Sequence, residues 1–197
     1  MKKRKLGIVV FNDVEVLDFA GPFEVFSVTN EQNDFALFDV SLISPEEKTV
    51  TAKNGLNIVA DYTINEIKRL DILLVPGGKG ARPLVNNAEL IQWVKEVSGK
   101  SELVLSVCTG ALVLAKAGIL DGLKATTHHQ AYNELGEIIT DTEIIKEGKR
   151  FIDNGRVITS GGISAGIDMS FHVIERLFGK EAANKTSDYM EYRRMVD

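Results

Sequence analysis

The sequence predicts an α/β fold: a mostly parallel central sheet with helices on both faces. Three observations carry that expectation. Short continuous apolar runs at residues 6–11 (LGIVVF), 72–76 (ILLVP) and 103–107 (LVLSV) have the look of strands buried on both faces. Longer segments with helical spacing or helix punctuation lie between them. One of the apolar runs passes straight into a small-residue helical segment through Cys108, which predicts a strand-to-helix elbow.

In chain order, residues 6–11 are the first central strand. Residues 14–30 follow, with Gly21-Pro22 inside them. Pro suits the first turn of a helix, so the main helix is expected to begin near Pro22 and run to Val28. That places Asp18 in or just before the helix start. Residues 38–44 form the next strand, and residues 51–61 a small β excursion. Residues 64–69 read as a short helix, residues 72–76 as another buried strand, and Gly77-Gly78-Lys79-Gly80 as a loop. Residues 88–98 are amphipathic, with Leu90, Ile91, Val94 and Val97 on one helical stripe. After the elbow, the helix of Ala111, Leu112, Leu114, Ala115 and Ala117 is ended by Gly118. Residues 124–127 read as a short strand. Two β runs around Asn154-Gly155 give a hairpin signal over residues 151–159. Gly161-Gly162 opens a helix over residues 164–178, closed by Gly179, and a last helix covers residues 180–194.

Composition narrows the functional classes. At 197 residues, one domain spanning the chain is expected, with no linker, internal repeat or low-complexity tract. The net charge of −5 argues against nucleic acid as the main partner. A single cysteine excludes an internal disulfide framework and a cysteine-rich zinc site, and with three histidines a metal site would need carboxylates and an unusual arrangement. No metal and no cofactor is expected. The basic opening Met1-Lys2-Lys3-Arg4-Lys5 is followed by an apolar stretch too short for a signal-peptide core, and no segment has the length of a membrane span. A cytoplasmic protein without a membrane partner is expected.

The candidate chemistry gathers at the carboxyl edge of the predicted sheet, where open α/β folds bind ligands. Cys108, at the elbow, faces the positive end of a helix, which favours thiolate and a nucleophilic role. A lone cysteine is also commonly a small buried hydrophobe. Asp18 could supply or take a proton, or simply cap a helix. The amides of Gly77 and Gly78 could cradle developing negative charge, or belong to an ordinary turn. His128 and His129 could be packing or surface residues. The glycine-rich segments match neither a phosphate loop nor a dinucleotide fingerprint.

Three segments together, LDFAGPFEVF from Leu17, LVPGG from Leu74 and SVCTGA from Ser106, resemble the ThiJ/PfpI superfamily, a branch of the class I glutamine amidotransferase-like fold. The stretches around Ala125-Thr126-Thr127-His128 and Ser160-Gly161-Gly162 extend the resemblance over nearly the whole chain. It implies a flavodoxin-like, amidotransferase-like sandwich. The Cys-Thr-Gly elbow, and an Asp rather than a Glu in the first loop, are most similar to the isonitrile hydratase branch. His129 stands where hydratase-like members often have Trp. Regulators of the superfamily carry an additional DNA-binding part, for which this chain is expected to have no room.

What the resemblance implies is hydration of an isonitrile to an N-substituted formamide, a lyase reaction on a small-molecule substrate. Cys108 would attack the terminal carbon and Asp18 would act as acid and then base. Thr109 would orient water or substrate, and the amides of Gly78 and Thr109 would stabilise charge. His128 would stand no closer than behind these groups. The alternatives are a non-enzymatic small-molecule or redox sensor, and glyoxalase- or deglycase-type handling of electrophiles. The superfamily also implies a homodimer, with a seam expected on the apolar faces of the first helix and of residues 164–178, unless those faces pack on the sheet.

Overall fold

The computed structural model describes residues 3–194. Strands β1 (Arg4–Val9), β2 (Phe38–Ser44), β5 (Tyr62–Thr63), β6 (Ile72–Val75), β7 (Leu103–Val107), β8 (Phe151–Asp153) and β9 (Val157–Ser160) form one seven-stranded sheet. Its order is β5-β2-β1-β6-β7-β9-β8. Every pair is parallel except β8 with β9, the hairpin expected at Asn154-Gly155. Strands β3 (Thr49–Thr51) and β4 (Asn57–Val59) pair antiparallel as a separate excursion. The central strands β6 and β7 are buried at every residue, as their unbroken apolar runs require. The helices are α1 (Val16–Glu31), α2 (Ala81–Leu84), α3 (Ala88–Ser98), α4 (Gly110–Lys116), α5 (Tyr132–Ile138), α6 (Ala165–Phe178) and α7 (Lys180–Tyr189). None of those described is long and apolar enough to cross a membrane.

Four expectations need correction. The first helix begins at Val16, a turn and a half before Pro22, so the proline lies inside it. Asp18 lies in the first turn, one of the two places expected for it. Close packing at Gly21, whose backbone lies against Ile167 of α6, outweighs the local preference of Pro22 for a helix start. Residues 64–69 make one turn and no helix. Glu66 reaches back to the amide and hydroxyl of Thr63 at 2.8 and 3.0 Å, and the carbonyl of Ile67 is taken by Trp93 Nε1 at 2.7 Å. Residues 124–127 contribute only a bridge from Ala125 to Ile145, because their polar groups serve neighbouring loops. The last helix stops at Tyr189, and the end of the expected range continues as a turn and coil.

Register places the site. Val75 pairs with Ser106, and Val107 pairs with Ser160. Strands β6, β7 and β9 thus end side by side, and Gly77, Cys108 and the 161–164 loop leave the sheet at one edge. Helix α1 enters beneath them after β1, on the other side of the point where strand order reverses. The faces of α1 and α6 expected at a dimer seam pack against each other.

Candidate active site

Cys108 sits between β7 and α4 at φ 55°, in the left-handed region that side chains other than glycine rarely adopt. Its amide donates to the carbonyls of Ser160 and Gly161 at 3.2 and 3.1 Å, and its carbonyl accepts from Thr127 Oγ1 at 2.8 Å. The turn is thereby held on both sides. Gly110 makes it possible, since a Cβ there would run into the carbonyl of Val75. The 161–164 loop holds a second strained residue, Ile163, at φ 57°. Strain of this kind persists only where surrounding structure enforces it, and it clusters at functional sites.

Asp18 is fully buried and does not cap its own helix. Its Oδ2 accepts from the amide of Gly77 at 3.1 Å, and its Oδ1 accepts from the amide of Ile163 at 3.2 Å. Burial pushes its pKa up to about 7, while the Cys108 side chain and the two amides pull the other way. The Cys108 thiol is itself buried, and burial together with the charge of Asp18 pushes it up to about 12. The expectation of a stabilised thiolate is corrected here. The amide and hydroxyl of Thr109 do favour the thiolate, but desolvation and the neighbouring carboxylate are stronger. At rest the sulfur carries its proton, and the proton that exchanges near neutral pH belongs to Asp18.

The remaining expected residues also meet here. Thr109 Oγ1 accepts from the amide of Gly78 at 2.9 Å and donates to its carbonyl at 3.1 Å. The amides of Gly77 and Gly78 therefore already have partners, Asp18 and Thr109, instead of standing free as an anion cradle. Their evident service is to hold the acid and the threonine in place. His128 does not stand behind the site. It lines the same cleft of about 240 Å³ as Cys108, Thr109 and Gly78. Its Nδ1 accepts from the amide of Gln130 at 3.3 Å, and burial, His129 and Arg82 lower its pKa, so the ring is neutral at pH 7.

Several cleft residues escape a reading of the sequence: Glu15, Lys53, Lys79, Arg82, Gln130 and Ile163. Lys79 and Ile163 left a signal, as the residues following Gly77-Gly78 and Gly161-Gly162. Glu15 and Lys53 meet at 2.7 Å, and Arg82 meets Glu134 at 2.7 Å. These pairs join residues 38 and 52 positions apart, which no local pattern links. Among the described residues, no group of three or more His, Cys, Asp or Glu side chains is placed to hold a metal ion.

A parallel sheet with a strained cysteine at its carboxyl edge, beside a buried acid, defines a class of α/β proteins built around a nucleophile elbow. The chain belongs to the DJ-1/PfpI family, whose pattern matches residues 4–176. It is 31% identical to an isonitrile hydratase of Pseudomonas putida over 191 residues, covering 95% of this chain and 78% of that protein. It is 30% identical to the HTH-type transcriptional regulator CdhR of Pseudomonas aeruginosa over 173 residues, covering 88% of this chain but only half of the regulator. Among solved structures, a ThiJ/PfpI family protein from Pseudomonas syringae superposes with a TM-score of 0.87 at 25% identity, over all of this chain and 78% of that one. The family thus includes an enzyme and parts of regulators, and the site's chemistry has to distinguish them.

Proposed function

We propose that the chain is a cysteine-dependent hydro-lyase that adds water to an isonitrile and releases an N-substituted formamide. The observation that carries this reading is a fully buried Asp18, held by the amides of Gly77 and Ile163 beside the elbow thiol, where burial pushes its pKa up to about 7. A group that must give a proton and then take one works best with a pKa near the operating pH. In the first step the sulfur of Cys108 bonds to the terminal isonitrile carbon, and the proton leaving the thiol passes through the Asp18 carboxylate to that same carbon. The product is a thioimidate on Cys108. Asp18, now a carboxylate, takes a proton from water as the water oxygen bonds to the same carbon. Asp18 passes that proton to the nitrogen, the carbon–sulfur bond breaks with its electron pair on sulfur, the remaining hydroxyl proton returns to the sulfur, and the formamide leaves. Thr109 orients the attacking water, and its amide stabilises charge at the sulfur. His128, neutral on the cleft wall, contacts the substrate. In this reading the protein is cytoplasmic, acts on a small molecule without a cofactor, and works as a homodimer.

The elevated thiol pKa favours a second reading. A thiol pushed up to about 12 is a poor nucleophile at rest, as a sensor that binds a ligand without turning it over would tolerate. Incubation with cyclohexyl isocyanide, following formamide, separates the two. Wild-type turnover should vanish in Cys108→Ala and fall by about two orders of magnitude or more in Asp18→Asn. Equal rates in wild type and Cys108→Ala would remove the enzyme reading, and saturable binding without turnover would establish the sensor.

A further inference from the structure

The cleft above Cys108 differs in charge from the rest of the chain. The chain as a whole carries −5. The side chains lining the cleft include three permanent cations, Lys53, Lys79 and Arg82, against one carboxylate, Glu15. Two other hollows show the opposite balance. One of about 340 Å³ is lined by Glu46 and Glu47 with no cation, and one of about 490 Å³ by Glu137 and Glu147 with no cation. With Glu15 paired to Lys53 and Glu134 to Arg82, Lys79 leaves the cleft wall with a net excess of positive charge, the opposite of the other two hollows.

The cations are placed rather than loose. Glu15 fixes Lys53 and Glu134 fixes Arg82, each at 2.7 Å. A guanidinium has five N–H donors and an ammonium three, so each keeps donors for a ligand. Their carboxylate partners are the first reason that the pKa values of Lys53 and Arg82 are raised, Glu15 for the one and Glu134 for the other, and charge at Cys108 adds a smaller contribution to each. Lys79 has no ion-pair partner among the described residues. The apolar surface is scant: Ile163 is the one large aliphatic side chain on the wall. A purely hydrocarbon substrate would gain little there, and a carboxylate would gain a bidentate partner in Arg82.

We infer that the cleft selects substrates bearing an anionic group, such as a carboxylate, on the side of the reacting carbon that faces Arg82 and Lys79. This rests on Cys108 as the reacting group, and its test is built in two independent arms. The first compares isocyanoacetate with its methyl ester, which carries the same isonitrile without the charge. The anion should show about tenfold higher kcat/KM, and the double variant Lys79→Ala/Arg82→Ala should bring the anion-to-ester ratio of kcat/KM close to one, chiefly through a raised KM for the anion. The second arm needs no hydration activity. In alkylation the Cys108 thiolate displaces iodide, forming a sulfur–carbon bond as iodide leaves with the electron pair. The rate ratio of iodoacetate to iodoacetamide should exceed that of free cysteine by about tenfold, and should fall toward the free-cysteine value in the double variant and in high salt. A ratio equal to that of free cysteine in the wild type overturns the inference, whatever the fate of the isonitriles. A raised ratio with no isonitrile turnover upholds the anion site and removes the hydratase reading.

Discussion

Two aspartates occupy equivalent places and have opposite fates. Asp18 lies in the first turn of α1, and Asp168 in the first turn of α6. Both are buried. Asp168 receives Arg150 through Nε at 2.8 Å and through a second guanidinium nitrogen, and it also accepts from Tyr192 Oη at 2.9 Å. Asp18 has no ion-pair partner, only two amides and a thiol neighbour. Asp168, held by a guanidinium and a phenol, acts as a brace between α6 and the chain around Arg150. Asp18, without a cation, takes up a proton near neutral pH. Helix position is shared, so the partner, not the local sequence, decides which acid is available for chemistry. The two are also linked. The carbonyl of Arg150 accepts from the amide of Gly161 at 2.9 Å, and its Nη1 donates to Ser164 Oγ at 3.1 Å. The braced acid thus steadies the loop whose Ile163 amide reaches the unbraced one.

The largest effect expected from this contrast is in stability against pH. Folding raises the Asp18 pKa from 3.8 to about 7. Its contribution to stability is therefore fully present below about pH 4 and is lost as pH rises through 7. Over that window the loss is as much as about 4 kcal/mol. Urea unfolding of wild type and Asp18→Asn at pH 5 and pH 8 isolates it, because the other titrating groups are common to both. Wild type should lose stability relative to the variant on going to pH 8. Parallel behaviour of the two proteins would mean that Asp18 is not a neutral acid in the fold.

The brace should respond differently. Asp168→Ala strands the guanidinium of Arg150 and removes the acceptor of Tyr192, at a cost of about 3 kcal/mol, moderated because Arg150 is partly exposed. Urea unfolding of wild type and variant at pH 7 measures that loss. A loss below about 1 kcal/mol would mean that Asp168 does not brace the loop.

A smaller effect falls on the thiol. Burial is the first reason for the high Cys108 pKa, and the charge of Asp18 is the second. Asp18→Asn removes only the second. Alkylation by iodoacetamide at pH 8 should accelerate by about tenfold in that variant, and in wild type the rate should keep rising with pH beyond 9. No acceleration would assign the whole perturbation to burial.

The same contrast shows where the sequence was informative. The central strands were legible because full burial on both faces demands unbroken apolar runs, and the elbow because Cys108 interrupts one of them. The start of α1 was not, since Pro22 sends a strong local signal that packing against α6 overrides. Asp18 and Cys108 could be named as candidates, but their protonation could not, because it depends on desolvation and on a contact between residues 90 positions apart. Arg82 and Lys53 carry no local mark at all, and only the fold turns them toward the thiol.

The finest test concerns the strained residue that connects the two acids. Ile163 holds φ 57° and exposes 37% of its surface, so its side chain adds little packing while its backbone is held in an unfavourable region. Glycine relieves that conformation and alanine does not. Ile163→Gly should therefore be more stable than Ile163→Ala by about 1 kcal/mol, partly offset by the greater freedom of glycine in the unfolded chain. Both variants keep the amide that reaches Asp18, so both should keep the pH dependence of wild type. Equal stability of the two would mean that the strain is relaxed in solution. A pH dependence lost in the glycine variant alone would mean that the enforced backbone, and not the mere presence of the amide, holds the Asp18 proton near neutrality. The strain at Ile163 would then belong to the acid's chemistry as directly as the strain at Cys108 belongs to the elbow.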